Sequence, residues 1–529
     1  MNFRAAILPG QMNRKPLLAL GFLVLGGFAA YKAAEYVLND DLTGLALVAL
    51  GLIVCACIVA MLNNWRNGLY FFLVWLLFED FARKYLGNNM AIYFGKDLLV
   101  LVVYVSFYMA MRRHEVKTFR PPFLMPLLLF IWFGAMQAFN PGSTSIWFGP
   151  LGLKVYFLYV PLLFVGYALL NSEAQLRRFF TVNQVLALII IGLGIAQAIL
   201  GHTFLNPQTI DSDIELGSKL YRVSPITGLL IYRPCSVFVS HGRYSDFLLV
   251  AWLLVLGFSG YLLLRHRRGR WLAFVSLAVT TAGLFLAGSR GLFMWMLINV
   301  AATTVAFMWG APWRQGEVVR VLRTLQRLAV GMVLAMALLF LIFPEALTAR
   351  LALYSESLLP GNSANELGRR TWDYPIQNLL GAFNTDRWPY GYGIGTASLG
   401  TQYVARFFKA KLVGVSVESG FGTLVVEMGI VGLILWLVMS GAIVFSAWKA
   451  AKKLKGSPWF PLAFIIFWYS FVLLFAQTYA GMQSYQDFLM NAYLWLLLGI
   501  LFRLPSLGLA AQQTAVAEQT ARSERRWMR

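Results

Sequence analysis

The segment from Leu367 to Gly432 holds the residues whose types and spacing are best suited to chemistry. It places Arg369 and Arg370, a glycine-rich turn at 391–395 and Glu418 between two strongly apolar stretches. Guanidinium groups bind anions through paired hydrogen bonds, and a carboxylate held near a helix end can act as a base. The spacing therefore predicts a reactive site at a membrane surface.

Arg290 lies in a tight turn whose position follows from helix geometry. The apolar segment 271–310 would be about 60 Å long as one helix, roughly twice the thickness of a bilayer core. It must fold back, and Gly288-Ser289-Arg290-Gly291 is the break that the sequence offers. An arginine at an interface often only extends to lipid headgroups, but flanking glycines let a ligand approach the backbone. We expect an anion site at Arg290.

Arg233 and His241 are two further candidates, because both lie just before the next apolar stretch in the segment 201–243. Basic residues that keep a long loop soluble are the alternative explanation. The two interpretations are evenly balanced for the loop taken alone.

The same segment carries Asp211, Asp213 and Glu215, a spacing that resembles the metal-binding Asp-x-Asp of nucleotide-sugar transferases. Hard metal ions need several oxygen ligands in ordered geometry, and a second acidic cluster is not evident on that side. A solvated acidic loop is the preferred interpretation, so no metal site is predicted.

Glu418 heads the helix expected after residue 417. If that helix is regular, a stripe of small side chains lies beneath the carboxylate, formed by Gly422, Val425, Gly429 and Gly432. Such a stripe lets another helix or a lipid chain pack closely. Glu427 would point to the opposite face, about 13 Å deeper, which favours a structural role for it.

These residues must be positioned by membrane helices, because apolar segments of spanning length follow one another almost end to end. The chain is 59% hydrophobic with a mean hydropathy of +0.66. We predict an all-α polytopic integral membrane protein with about fourteen transmembrane helices in one domain, 1–507, and a basic tail, 508–529. The predicted spans are 16–37, 42–62, 67–84, 97–111, 122–139, 153–170, 182–200, 245–264, 271–287, 291–310, 328–343, 420–448, 459–479 and 488–502.

The net charge of +21 is explained by topology rather than by nucleic acid as a partner. Most lysines and arginines fall in short loops on one side, which the positive-inside rule assigns to the cytoplasm. Both termini are then cytoplasmic, and the long loops 201–243 and 344–417 face outward. The three cysteines suggest no structural disulfide.

From about residue 230 to 435 the chain resembles the O-antigen ligase and polymerase superfamily of bacterial membrane glycosyltransferases. Five short motifs appear in the family's order: Arg233 before Ser240-His241, Ser289-Arg290-Gly291, Gly368-Arg369-Arg370-Thr371-Trp372, the Pro389–Gly395 turn, and Glu427, Gly429 and Gly432. The histidine that ligases of the family use before the last motif is replaced by Glu418. This departure favours a polymerase over a ligase.

The resemblance implies a GT-C-type fold in the bacterial inner membrane and a periplasmic active site. The expected reaction transfers a glycan from undecaprenyl diphosphate to a sugar hydroxyl, with no cofactor, because the lipid diphosphate supplies the energy. Arg290 and Glu418 would be catalytic, as cation for the leaving group and as base. Arg233, His241, Arg369, Arg370, Trp372 and Tyr392 would bind substrate. Expected partners are the lipid-linked glycan, membrane lipid, and a chain-length regulator and flippase of the same pathway.

Two alternatives from other classes stay open. A glycan flippase or transporter would also be polytopic, but it should show broken helices and polar groups at mid-membrane. A noncatalytic assembly scaffold would keep the fold, and the replacement of histidine by Glu418 is its best support. Within the enzyme class, transfer to lipid A-core or to a protein is the alternative to polymerisation.

Overall fold

The computed structural model describes most of the chain. The described residues are 31–32, 35–36, 42–87, 90–207, 220–224, 228, 230–265, 269–312, 323, 326, 330, 337, 340–341, 344–358, 368–415 and 417–527. The predicted spans 16–37 and 328–343 fall largely outside them. Asp211, Asp213 and Glu215 also lie outside the described residues.

Helices make up most of the described residues, as expected for an all-α protein. The helices are α1 Leu42–Asn63, α2 Trp65–Tyr85, α3 Met90–Arg112, α4 Leu124–Gln137, α5 Phe148–Phe157, α6 Leu162–Leu169, α7 Glu173–Leu200, α8 His241–Arg265, α9 Arg270–Leu286, α10 Arg290–Gly310, α11 Pro344–Leu358, α12 Tyr374–Phe383, α13 Thr401–Phe408, α14 Gly420–Lys452, α15 Phe460–Phe471, α16 Gln483–Gln486 and α17 Phe488–Trp527. Two short antiparallel strands, β1 Tyr221–Val223 and β2 Leu230–Tyr232, pair with Arg222 opposite Ile231.

Eight helices in the described part of the chain are long and apolar enough to cross a membrane. They are α3, α5 together with α6, α7, α8, α10, α14, α15 with its continuation to Ala480, and α17 as far as Gly508. Shorter apolar helices lie at 51–63, 124–137 and 270–286. The chain is a mostly helical, multi-pass membrane protein.

The core of the bundle is built around α8 and α17, whose apolar windows are 83% and 89% buried. Helix α10 is peripheral, because only 17% of its window is buried. Close packing of α6 on α17 depends on glycine: a Cβ on Gly166 would collide with the Leu496 carbonyl oxygen, and one on Gly499 with that of Leu163. Small residues at both contacts let the two backbones touch.

Two predicted segments have finer structure than the sequence indicated. The span 153–170 is two helices, α5 and α6, separated at 158–161, where Pro161 lacks an N–H and restricts the residue before it. In the predicted tail 508–529, α17 continues as a helix to Trp527. Alanine, glutamine, glutamate and arginine dominate that stretch, and these residues favour helix.

Candidate functional site

The turn between α9 and α10 exists where the length of segment 271–310 predicts it. Gly288 has φ 66°, a left-handed conformation that glycine adopts without strain. Ser289 then caps α10, because its side chain accepts a hydrogen bond from the Leu292 N–H. Arg290 is the first residue of α10 and is only 8% exposed. The turn thus places a buried guanidinium at this end of the bundle, called here the Arg290 end.

Arg233 lies beside the same turn. A Cβ added to Gly288 would be 3.4 Å from Cγ of Arg233, an ordinary van der Waals distance that places this side chain directly against the turn. The backbone after Arg233 is anchored to α7, where Gln197 Oε1 accepts hydrogen bonds from the N–H groups of Cys235 (2.9 Å) and Ser236 (2.7 Å). Lys84 donates to the Ser236 carbonyl at 2.7 Å. These contacts fix the position of Arg233 against the turn.

Arg350 is a third arginine at this turn, and the sequence analysis did not identify it. It is 3% exposed and donates from Nε to the Leu286 carbonyl at 2.9 Å and from Nη2 to the Tyr232 carbonyl at 3.2 Å. Arg350 therefore joins the end of α9 to strand β2. No family motif marks this position, and only the packing of α11 against the turn shows its role.

Arg233, Arg290 and Arg350 form an arginine cluster, and burial makes its positive charges energetically costly. Burial lowers the pKa of Arg233 and of Arg350 from their usual values, because desolvation penalises the charged form. Arginine nevertheless stays protonated in proteins. Glu356 is a nearby buried carboxylate on α11, and it accepts a hydrogen bond from the Ser224 hydroxyl. An additional polyanion near Arg233, Arg290 and Arg350 would offset the desolvation of the cations.

His241 begins α8 and is 7% exposed. Its Nδ1 lies 3.0 Å from the Pro234 carbonyl, and its Nε2 lies 3.1 Å from the Ser245 hydroxyl. Arg233 is close enough to act electrostatically on the ring. Because both ring nitrogens have partners, this geometry suits a residue that orients the Arg233 segment better than one that touches substrate.

Glu418 and Arg370 form a second, more open group. The Glu418 carboxylate lies 3.6 Å from Nη1 of Arg370, and the two side chains are 54% and 63% exposed. The Glu418 N–H donates to the Asn378 side chain at 3.1 Å. Helix α14 begins at Gly420 with Ser419 as its N-cap, so Glu418 precedes the helix rather than heading it. Arg369 and Trp372 are also exposed in the adjoining π-helical turn 369–373.

The small residues predicted to form a stripe beneath Glu418 are covered by other parts of the chain. Gly422 is covered by Val417 and by the backbone of Asn378 and Leu379, and Gly429 is covered by the backbone of Pro389 and Tyr390. Helix α14 is also not regular, because Gly429 has φ 69° and ψ −172° and kinks it. The small residues accept protein backbone, so an acceptor would have to approach Glu418 from the solvent side.

The glycine-rich turn at 391–395 docks into this kink. The N–H groups of Tyr392 and Gly393 donate to the carbonyls of Val426 (2.8 Å) and Glu427 (2.9 Å). A Cβ on Gly391 would be 2.5 Å from the Glu427 carbonyl oxygen. Tyr392 packs beside Val425 and Val426 and stays partly exposed. The turn is therefore a fitted part of the fold.

Glu427 organises that junction from a fully buried position. Its carboxylate accepts hydrogen bonds from the Tyr156 hydroxyl (2.8 Å), the Ser398 hydroxyl (2.7 Å) and the Ala397 N–H (2.9 Å). Gln486 donates to the Ser398 hydroxyl at 3.0 Å, which links the network to α16. The contacts agree with the structural role that the sequence analysis favoured for Glu427.

We predict that Glu427→Ala destabilises the protein strongly, because three buried donors would lose their acceptor. Each unsatisfied buried group costs about 1–3 kcal/mol, so the expected loss is more than about 3 kcal/mol. Thermal unfolding of the purified protein in detergent measures it, with the exposed Asp386→Ala as control. Equal unfolding temperatures for Glu427→Ala and Asp386→Ala would contradict the role.

The segment 478–487 is close to Glu418 at one end and to Arg243 of α8 at the other. A Cβ on Gly481 would be 3.2 Å from the Glu418 carbonyl oxygen. Asp487, at the other end of the segment, acts electrostatically on Arg243, two residues after His241. This segment therefore lies between Glu418 and the start of α8.

A buried ion network supports the Arg290 end, and the sequence analysis missed it. Arg243 pairs with Asp80 at 2.6 Å, Arg83 pairs with Asp80 at 3.1 Å, and Lys96 pairs with Glu79 at 3.2 Å. The available signal was the presence of several charged residues inside the predicted span 67–84, since charges within spans are paired or functional. The network ties α2 and α3 to the start of α8.

Within the described residues, no group of three histidine, cysteine, aspartate or glutamate side chains has the arrangement of a metal site. No protein-family model matches the chain, and the comparison with curated proteins found no match.

Proposed function

We propose that this protein is a glycan polymerase that acts on the periplasmic side of the bacterial inner membrane. It would transfer a growing glycan from undecaprenyl diphosphate to a sugar hydroxyl of the next lipid-linked repeat unit. The observation that carries the proposal is the gathering of Arg233, Arg290 and Arg350 around the Gly288 turn. Three guanidinium groups at one end of a membrane bundle suit a diphosphate better than a neutral ligand.

The proposed reaction is a displacement at the anomeric carbon. The acceptor hydroxyl oxygen forms the new glycosidic bond while the bond to the diphosphate oxygen breaks, and the diphosphate leaves with both electrons. The arginine cluster stabilises the charge that develops there. The hydroxyl proton passes to the Glu418 carboxylate. The exposed ion pair with Arg370 is weak, so an arriving acceptor can replace it.

Other exposed groups near Glu418 fit the glycan itself. Arg369, Arg370 and Trp372 face outward in the turn 369–373, where an aromatic ring can stack on sugar and guanidinium groups can bind hydroxyls or acids. Tyr392 offers only a partly exposed edge. His241 would hold the Arg233 segment in place. Extension of lipid-linked repeats by the purified protein, with release of undecaprenyl diphosphate, tests the proposed reaction directly.

The finer architecture belongs to the same proposal: fourteen transmembrane helices in a GT-C-type arrangement, with both termini cytoplasmic. A flippase that delivers the repeat units and a chain-length regulator would be partners in the pathway. The positions of Arg66, Lys117 and Arg503 support this topology, because they line one cavity although they come from distant parts of the chain. All three fall in the short basic loops or in the C-terminal region that the positive-inside rule assigns to the cytoplasm.

Cysteine labelling tests the orientation. In a variant without Cys55, Cys57 and Cys235, we expect Phe407→Cys to react with an impermeant thiol reagent in intact spheroplasts, because residue 407 is 81% exposed in the 344–417 loop. Lys452→Cys, at the far end of α14, should react only after the membrane is permeabilised. Labelling of position 452 alone in intact spheroplasts would reverse the topology and remove the periplasmic site.

A glycan transporter is the second candidate, and one observation favours it. The structure contains interrupted helices, namely the break between α5 and α6, the kink at Gly429 and the π-helical turn 472–477. Broken helices often line substrate pathways in transporters. Proteoliposomes separate the two candidates, since a transporter moves lipid-linked glycan between leaflets without lengthening it, whereas a polymerase lengthens it.

A further inference from the structure

A cavity of about 200 Å³ lies at the opposite end of the bundle from Arg290. Helix α7 connects the two ends: Asn171 precedes it and lines the cavity, whereas Gln197 bonds to the segment after Arg233. The helix between these residues spans about 40 Å. The cavity therefore belongs to the other membrane surface and takes no part in the proposed glycan transfer.

The cavity is lined by three cations and one carboxylate: Arg66, Lys117, Arg503 and Glu115. Glu115 also pairs with Arg113 at 3.6 Å. The lining is therefore positively charged overall, and its charges come from α2, from the segment after α3 and from α17. Four separate elements, including the end of α6, meet at this cavity.

The guanidinium groups are held in place and retain hydrogen-bonding capacity. Arg503 is 7% exposed, and it donates from Nε to the Leu170 carbonyl at 2.9 Å and from Nη2 to Asn171 at 3.5 Å. Arg66 lies over the Trp65 ring at 4.5 Å, and its buried Nε makes no hydrogen bond with the described residues. A buried donor of this kind is costly unless a ligand accepts from it.

We propose that this cavity binds the phosphate group of an anionic phospholipid from the leaflet on its own side. The volume is several times the roughly 30 Å³ that a water molecule occupies in the liquid, so a phosphate ester fits. Basic pockets between the ends of transmembrane helices are suited to anionic lipid headgroups. Inorganic phosphate shares the recognised chemistry and is the other source of such an anion.

Titration of delipidated protein in detergent tests the site, with bound phospholipid measured by native mass spectrometry. Wild type should bind dioleoylphosphatidylglycerol and bind dioleoylphosphatidylcholine much more weakly. The double variant Arg66→Gln/Lys117→Gln should bind phosphatidylglycerol about thirtyfold more weakly, since it lacks two charges at the surface. Lys452→Gln/Lys453→Gln removes the same charge at the end of α14 and should leave this binding unchanged.

A parallel titration with inorganic phosphate distinguishes the two sources. If millimolar phosphate displaces phosphatidylglycerol from wild type and binds the double variant poorly, the anion site is upheld but lipid is not its sole ligand. Lack of displacement, with the lipid preference intact, supports the phospholipid. Unchanged phosphatidylglycerol affinity in Arg66→Gln/Lys117→Gln, or an equal loss in the control variant, would overturn the proposal. Both results are independent of glycan transfer.

Discussion

Arg290→Ala is expected to reduce glycan transfer by about a hundred- to thousandfold, the usual cost of removing one preorganised charge stabiliser from an active site. The reason is the position of Arg290 beside Arg233 at the Gly288 turn, where the leaving diphosphate would develop its charge. Such a group acts more on the transition state than on bound donor, so kcat should fall by a larger factor than KM rises. Steady-state rates with a lipid-linked repeat unit measure both changes.

Arg290→Lys keeps the charge but loses the planar, bidentate fork, so it should remain strongly impaired. Because Arg290 is buried, thermal unfolding must show that each variant is folded. Arg270→Ala is a matched control: Arg270 is the first residue of α9, as Arg290 is of α10, but it lies at the other end of the helical hairpin. Full activity in a normally folded Arg290→Ala protein would refute the assignment of the leaving-group site.

The Arg290 turn could be predicted from sequence because the thickness of the bilayer limits the length of a spanning helix. A helix of the length of 271–310 does not fit a bilayer, and the glycines at 288 and 291 marked the break. Arg290 then had to lie at one end of the bundle. The structural role of Glu427 was favoured for a similar reason, since an acid inside a span needs partners, and Tyr156, Ser398 and Ala397 supply them.

The kink at Gly429 could not be predicted in the same way. Helical periodicity treats α14 as a regular helix, so it placed the small residues on one continuous stripe. In the structure the backbone of 389–391 packs against Gly429, which has a left-handed conformation and interrupts the helix. A local pattern contains no information about a segment docked from elsewhere in the chain.

The partners of Arg243 and Arg350 could not be predicted from sequence for a related reason. Asp80 is 163 residues from Arg243, and the Leu286 carbonyl is 64 residues from Arg350. Sequence spacing indicates which faces of one helix align, but it does not indicate which helices meet. The charged residues of α2 could be recognised as requiring compensation, whereas the identity of the compensating groups required the packed bundle.

Glu418→Gln is expected to lower turnover by about a hundred- to ten-thousandfold, the usual contribution of a general base. Glutamine keeps the size of the side chain and most of its hydrogen bonding, but it cannot take the proton of the acceptor hydroxyl. Binding of the lipid-linked donor should remain normal, because Arg233, Arg290 and Arg350 would hold the diphosphate. The informative comparison is therefore donor affinity against turnover in the same preparation.

Asp373→Asn is a matched control, since Asp373 is another exposed carboxylate, in the turn 369–373 beside Arg370. It should leave turnover nearly unchanged. Glu418→His restores the residue that ligases of the resembling family carry there, and it should recover part of the activity, because imidazole is also a base. Wild-type turnover in Glu418→Gln would move the base elsewhere. In that case the remaining role of Glu418 would be its contact with Arg370 and Asn378, which orders the entrance to α14 without taking part in proton transfer.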